Sequence, residues 1–426
     1  MKILLISANT EQINMPVLPL GMACIGAAVQ NAGHEVNTVN LMMARDIRGL
    51  LRETISGFSP DVIGISVRNI DDQMMEPSNF LLDGVRTVVS ECRSLSDAPI
   101  VLGGAGYSIF PRRALEYLKA DMGIQGEGEK AFLMLLERLE HKSDTSQIPG
   151  LCLPEIGLLK KSQPVKDLDH HPQPLLNVHL LLPSSLRNEE IWFPVQTRRG
   201  CAMDCSYCST ASIEGRILRK HSVGRAVDLI RQYTNAGIKD FFFVDNTFNF
   251  PLSYAKALCD RIITEGLNIR WRCILYPWKI DDELVEKMAQ AGCKEVSLGF
   301  ESGSESILKR MNKRYTPADV RRISKMLGKQ QIHRMGFLLL GGPGETKDSV
   351  EKSLYFAESL ETEVMKITSG IRIYPDTALH RTAVDEGIIE PDEDLLFPKF
   401  YMAKGLKGWL EEMVANWMDG HENWIK

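Results

Sequence analysis

The sequence predicts an α/β protein built from two successive strand–helix series. Three observations predict it. Short apolar runs alternate with helical patterns over residues 1–140, the same alternation resumes over residues 191–380, and a proline-punctuated polar stretch separates them. At 426 residues, two or three domains are expected. With 25% charged and 44% hydrophobic residues, the composition is that of an ordinary globular protein. A net charge of -5 gives no argument for nucleic-acid binding. No apolar run is long enough for a membrane helix, and M-K-I-L-L-I-S reads as a first strand rather than a signal segment. Nine cysteines without a regular framework argue against disulfides and for a reducing, cytoplasmic setting.

In the first series, strands are expected at Lys2–Ser7, Glu35–Asn40, Val62–Val67, Pro99–Gly103 and Met122–Gln125. Helices are expected at Gly21–Ala32, Ile47–Ser56, Asn79–Ser94, Arg112–Lys119 and Glu129–Glu140. Gly33 is placed to end the first helix. Such an alternation gives a parallel sheet, and ligands bind beyond the carboxyl ends of its strands. Those ends carry Ser66 with Arg68, Asn69 and Asp71, then Gly103 and Gly104 in G-G-A-G-Y-S, then Gly126 and Glu127 in G-E-G-E. Glycine lets backbone approach a ligand, though strand-to-helix turns use it as well.

Residues 141–190 form the connector. A short hairpin is expected at Leu151–Pro154 and Leu158–Lys161, within a segment laid over the surface. His170 and His171 read as solvated.

The second series has expected strands at Ile191–Thr197, Asp240–Asn246, Ile269–Leu275, Glu295–Glu301, Arg334–Gly341 and Val364–Tyr374. Its expected helices are Ser222–Ala236, Leu252–Thr264, Asp281–Ala291, Pro317–Lys329 and Lys347–Leu360. Six strand–helix units suggest a partial barrel with its working residues at the strand carboxyl ends. Asp245, Glu301 with Ser302, Gly341, and Tyr374 stand at those ends. A carboxylate there is costly to bury without a donor. Residues 381–426 form a short helical tail, with Trp409, Leu410, Met413, Val414, Trp417 and Met418 at the spacing of a docking stripe.

Cys201, Cys205 and Cys208 stand in C-A-M-D-C-S-Y-C after the first strand of this series. Thiolates suit iron–sulfur clusters, and three of them leave one iron of a [4Fe–4S] cluster open. A zinc site or free thiols are the alternatives; structural zinc usually takes a fourth ligand, and His221 is the nearest downstream histidine.

The cysteine spacing, Tyr207 beside the third cysteine and the strand-then-loop context resemble the radical S-adenosylmethionine (SAM) superfamily. P-L-G at Pro19–Gly21, V-L-G-G at Val101–Gly104 and Asp121 before G-E-G-E resemble the cobalamin-binding domain that precedes many radical SAM domains. The resemblance implies a flavodoxin-like cobalamin-binding domain over 1–140, a linker over 141–190, and a partial (βα)6 radical SAM barrel over 191–380. It implies a [4Fe–4S] cluster on the three cysteines and SAM near Tyr207, Asp245, Glu301, Ser302, Gly341 and Tyr374. It also implies cobalamin near Ser66, Arg68, Gly103, Gly104, Gly126 and Glu127. The loop after the first strand, N-T-E-Q-I-N-M-P, lacks the histidine that classical cobalamin domains place under cobalt. The implied reaction is methylation of an unactivated carbon in a small-molecule or peptide substrate, with electrons from an external donor such as flavodoxin or ferredoxin. A non-methylating radical reaction is the alternative, and product mass separates the two. Arg198, Arg199 and Arg334 are expected to be mainly solvated.

Overall fold

Strand β1 (Lys2–Ser7) is apolar over Ile3–Ile6 and buried, because helices cover both faces of its sheet. The computed structural model describes residues 1–11, 18–42, 44–174 and 191–426. The expected loop of residues 9–16 therefore lies outside the described residues beyond Glu11, as does the connector from residue 175 to 190. The chain divides into two compact units. The first comprises residues 1–72, 79–191 and 210–215, and the second residues 73–78, 192–209 and 216–426.

In the first unit β1 is followed by α1 (Leu20–Asn31), β2 (Glu35–Asn40), α2 (Ile47–Phe58), β3 (Val62–Ser66) and α3 (Leu82–Leu95). Then come β4 (Ile100–Gly103), α4 (Ala105–Ile109), α5 (Pro111–Leu118), β5 (Met122–Ile124) and α6 (Glu129–Glu140). Local chemistry sets several boundaries. Asp46 caps α2 by accepting from Gly49 N at 2.9 Å, and Gly33, at φ 88°, ends the α1 turn. The sheet order is β2-β1-β3-β4-β5, all parallel. Its core includes Ile3, Leu5, Val62, Val101, Phe132 and Leu135.

α4 begins immediately after Gly104, so G-G-A-G-Y-S makes a strand-to-helix turn. One expectation is corrected here. The hairpin β6 (Leu151–Leu153) and β7 (Gly157–Leu158) does not lie over the surface. It extends the first sheet antiparallel at β5, pairing Gly123 with Cys152, and Leu151 and Cys152 are fully buried. Pairing satisfies the edge of β5, which a surface connector would leave open. The short helix α7 (Thr210–Glu214) completes this unit.

The second unit runs β8 (Phe193–Val195), β9 (Arg198–Arg199), β10 (Arg219–Lys220), α8 (Val223–Asn235), β11 (Asp240–Phe243), α9 (Leu252–Thr264) and β12 (Arg270–Leu275). It continues with α10 (Asp282–Gln290), β13 (Cys293–Glu301), α11 (Glu305–Arg310), α12 (Pro317–Lys329), β14 (His333–Leu340), α13 (Lys347–Glu358) and β15 (Val364–Ser369). Caps again mark helix starts: Ser222 on α8, Asp281 on α10, and a Thr316–Asp319 capping box on α12. The main sheet is parallel and ordered β8-β11-β12-β13-β14-β15, with a seventh strand outside β15. That strand, β18 (Trp424–Ile425), comes from the tail and pairs Trp424 with Met365.

The expected strand Val364–Tyr374 is broken at Gly370, whose φ is 77°. Beyond it, β16 (Ile371–Arg372) turns away to pair with β17 (Phe400–Tyr401). After α14 (Ala378–Asp385), the tail helix α15 (Trp409–Asp419) buries Leu410 and Val414 and sets Trp417 against Tyr355 of α13, ring centroids 4.9 Å apart. The expected stripe therefore docks.

Candidate active site

The cysteine loop leaves the second sheet after β8, and its first residues are fixed from β11. Asp245 is fully buried and its two oxygens accept four hydrogen bonds. Oδ1 accepts from Thr197 N (2.6 Å) and Arg198 N (2.8 Å); Oδ2 accepts from Thr197 Oγ1 (2.6 Å) and Arg198 Nη1 (3.0 Å). A carboxylate has about four lone-pair sites, and all are taken. Asp245 therefore positions the loop rather than offering an oxygen to a ligand, which corrects its expected contact with SAM. Its partner corrects a second expectation. Arg198 is 1% exposed, not solvated, and its guanidinium stacks over Phe248 (5.2 Å) and Tyr254 (4.6 Å). Arg334 is likewise committed within the chain. It forks onto Glu363 at the amino-terminal start of β14, opposite the carboxyl rim.

The loop itself is clamped by the turn between α11 and α12. Ser206 N donates to Met311 O (3.1 Å), Asn312 Nδ2 to Asp204 O (2.6 Å), and Arg314 Nη2 to Ala202 O (3.3 Å). Leu379 N, from α14, donates to Ser206 O at 2.8 Å. Cys201 and Cys205 are half-buried and Cys208 is exposed. Among the described residues, no three His, Cys, Asp or Glu side chains stand close enough together to hold a metal ion.

One residue that sequence reasoning missed organises this region. Lys313 Nζ donates to Tyr207 Oη at 2.9 Å and to Glu301 Oε1 at 3.2 Å, with its side chain 4% exposed. It also lies over the rings of Tyr207 (5.0 Å) and Tyr276 (5.7 Å). Burial alone would lower its pKa, but Glu301, Tyr207, Tyr315 and Cys205 outweigh burial and hold it well above the lysine value. Burial pushes the Cys205 thiol up, and the Lys313 ammonium opposes this. Glu301 sits at φ 62°, where the β13–β14 register slips between Gly299 and Glu301. A bulge of this kind re-aims a side chain, and the surrounding structure holds this backbone in the left-handed region. Nothing in M-N-K-R-Y-T distinguished Lys313 from a surface lysine.

Ser302 stands just past the end of β13, with its hydroxyl committed within the chain. It is fully buried and bonds Ser353 Oγ of α13 at 2.9 Å, so it fastens the turn after β13 onto that helix. At the end of β14, Gly341 has φ 94°, and a Cβ there would stand 2.9 Å from Met402 Sδ. Gly341 N and Gly342 N both donate to Glu345 Oε2, the second at 2.8 Å. These two amides, beside the position where the resemblance implies SAM, are committed to a buried carboxylate. Burial raises the Glu345 pKa to about 7 against the pull of those two amides, and its Oε1 has no partner. Tyr374 is 9% exposed, with the Arg372 guanidinium over its ring and Thr377 Oγ1 on its carbonyl at 2.7 Å.

In the first unit, Ser66 pairs with Gly103 across β3 and β4, and Val67 N donates to Gly103 O at 2.7 Å. Gly104, at φ 103°, brings its turn so close that a Cβ would stand 2.5 Å from Val67 O. A Cβ on Gly103 would meet only Ile124 O at 3.9 Å. Gly126 N donates to Ser108 Oγ, and Glu127 Oε2 accepts from Val165 N at 2.8 Å, so Glu127 anchors the chain after the hairpin. A cavity of about 110 Å³ opens at the carboxyl ends of β1 and β3. Asn9, Thr10, Arg68 and Asn69 give it polar walls, and Leu81 and Val85 apolar ones. Asp71 is not on its wall. It is buried and bridged to Phe80.

The sequence family described as the B12 binding domain matches residues 6–136, and that described as the Radical SAM superfamily matches residues 195–357. The chain thus carries a B12-binding domain followed by a radical SAM domain. An uncharacterized methyltransferase of Pyrococcus horikoshii is 28% identical over 402 residues, covering 91% of this chain and 84% of the relative. Cytidylyl-2-hydroxyethylphosphonate methyltransferase of Streptomyces wedmorensis is 25% identical over 457 residues, covering 92% and 84%. The solved structure of the radical SAM methyltransferase TsrM of Kitasatospora setae, with tryptophan substrate and a SAM analog bound, superposes with a TM-score of 0.88. It is 23% identical and covers 99% of this chain and 90% of TsrM.

The residues of the radical SAM unit fit an iron–sulfur cluster by the chemistry of their donors. Three thiols share one loop, and although burial pushes the Cys205 thiol up, the Lys313 ammonium offsets part of that rise. In the B12-binding unit, the rim cavity is smaller than the ~150 Å³ that holds a benzene ring. It does not enclose a macrocycle, so by size it would fit only a part of a cobalamin molecule.

Proposed function

We propose that the protein methylates an unactivated carbon of a small molecule, with SAM as the methyl source. Cys201, Cys205 and Cys208 hold a [4Fe–4S] cluster, and cobalamin lies at the carboxyl rim of the first sheet near Ser66, Arg68, Gly103, Gly104, Gly126 and Glu127. When bound, these groups supply one-electron chemistry and methyl transfer. The chain's own residues do the holding. Asp245 and Arg198 fix the root of the cysteine loop, and Asn312 and Arg314 fix its tip. Glu301, re-aimed by its bulge, is the carboxylate available to the SAM ammonium or ribose. The electron comes from an external flavodoxin- or ferredoxin-like donor, and the setting is the reducing cytoplasm.

The observation that carries this reading is the cysteine loop clamped beside the Lys313–Glu301 pair, in a chain that also carries a B12-binding domain. The relatives support it: the two named above are methyltransferases, and TsrM was solved with tryptophan as substrate.

The test is anaerobic reconstitution with iron, sulfide and hydroxocobalamin, then desalting and absorption spectroscopy. Cluster and corrin bands should both be retained. Incubation with SAM, a reductant and small aromatic or phosphonate candidates should then yield a product one methyl group heavier. Full turnover without cobalamin would sink the methylation reading and leave a non-methylating radical reaction in its place.

A further inference from the structure

Lys313 is a buried cation on the turn that clamps the cysteine loop. Its ammonium is divided among the Glu301 carboxylate (3.2 Å), the Tyr207 hydroxyl (2.9 Å) and the faces of Tyr207 and Tyr276. Tyr207 stands between Cys205 and Cys208, so the ammonium is held against the segment that carries two of the three thiols. Its neighbours Asn312 and Arg314 bond the loop backbone, so the lysine and the loop are held as one body. A buried ion pair is retained at a cost in desolvation, and removing one partner leaves an uncompensated charge. This pair faces the residue between Cys205 and Cys208 that carries the aromatic ring.

We propose that Lys313 is a positioning residue for the cluster, setting the charge beside Cys205 and thereby raising the cluster's reduction potential. Glu301 acts against it by neutralising part of that charge. The inference rests on the cysteine loop holding a cluster. Its physics is that a nearby positive charge, less screened in a buried setting, favours the more negative, reduced state. Because Glu301 shares the ammonium, a ligand that draws the carboxylate away would leave more positive charge facing the sulfur.

The experiment is a redox titration of anaerobically reconstituted full-length protein, followed by electron paramagnetic resonance, without SAM or substrate. Lys313→Gln should lower the potential, Lys313→Arg should restore it, and Glu301→Gln should raise it. A Lys313→Gln cluster titrating with wild type would overturn the proposal. So would equal shifts in Lys313→Gln and Lys313→Arg, since shape rather than charge would then be responsible. If Lys313→Gln fails to hold a cluster, Glu301→Gln decides: an upward shift supports the role and an unchanged potential overturns it. A wild-type chain that holds no cluster would instead refute the reading of the cysteine loop.

Discussion

Replacing Glu345 by glutamine should change how the stability of the second unit depends on pH. The Glu345 carboxyl is buried under the turn that ends β14, and burial raises its pKa from 4.5 to about 7. The folded chain thus holds this proton more tightly than the unfolded chain does. The stability this contributes is complete below about pH 4.5 and is lost as pH rises through about 7. At roughly 1.4 kcal/mol for each tenfold difference in proton affinity, the loss is about 3 kcal/mol. Glu345→Gln keeps an oxygen for the Gly341 and Gly342 amides but has no charge to bury. Urea unfolding should give nearly equal stabilities near pH 4, with the variant ahead by up to about 3 kcal/mol near pH 8. A gap that does not vary with pH would refute the reasoning. A wild type that gained on the variant as pH rose would reverse it.

Other perturbations test the site's architecture. Asp245→Asn should cost about 3–5 kcal/mol in urea unfolding, because Arg198 would keep a buried charge without its carboxylate; a loss under about 1 kcal/mol would remove Asp245 from the loop's foundation. Gly104→Ala should destabilise the first unit by about 1–3 kcal/mol, since its Cβ would press on Val67 O at an unfavourable φ; differential scanning fluorimetry reads the effect, and an unchanged melting temperature would contradict the close approach. Alanine at Cys201, Cys205 or Cys208 should each abolish retained iron and the cluster absorption, whereas alanine at buried Cys92 should leave both in place; iron analysis after anaerobic reconstitution decides.

Local patterning made most of the elements legible. α6, α9 and α12 form where the strand–helix periodicity placed them, because a helix is specified by neighbours three and four residues apart. The rim positions of Glu301 and the cysteine loop were legible for a related reason: a strand's end and the turn after it are local features. Gly370 was not read as a break, since apolar residues continue past it and only its positive φ ends the strand. The seventh strand was missed because Trp424 and Ile425 are too few to show alternation, and they pair with β15 nearly sixty residues away in sequence.

The sequence by itself determined the two strand–helix series, the cysteine spacing and hence the chemistry that three thiols invite. It also determined which residues could stand at the carboxyl ends of strands. The tertiary structure decided what those residues do. Asp245 meets Arg198 across 47 positions and becomes a foundation, and Lys313 meets Tyr207 across 106 and becomes the charge beside the loop. A buried charge is defined by its partner, and the partner is supplied by chain distant in sequence but adjacent in the fold. Residue type and spacing carry the ligand chemistry; only packing assigns each polar atom its donor or acceptor.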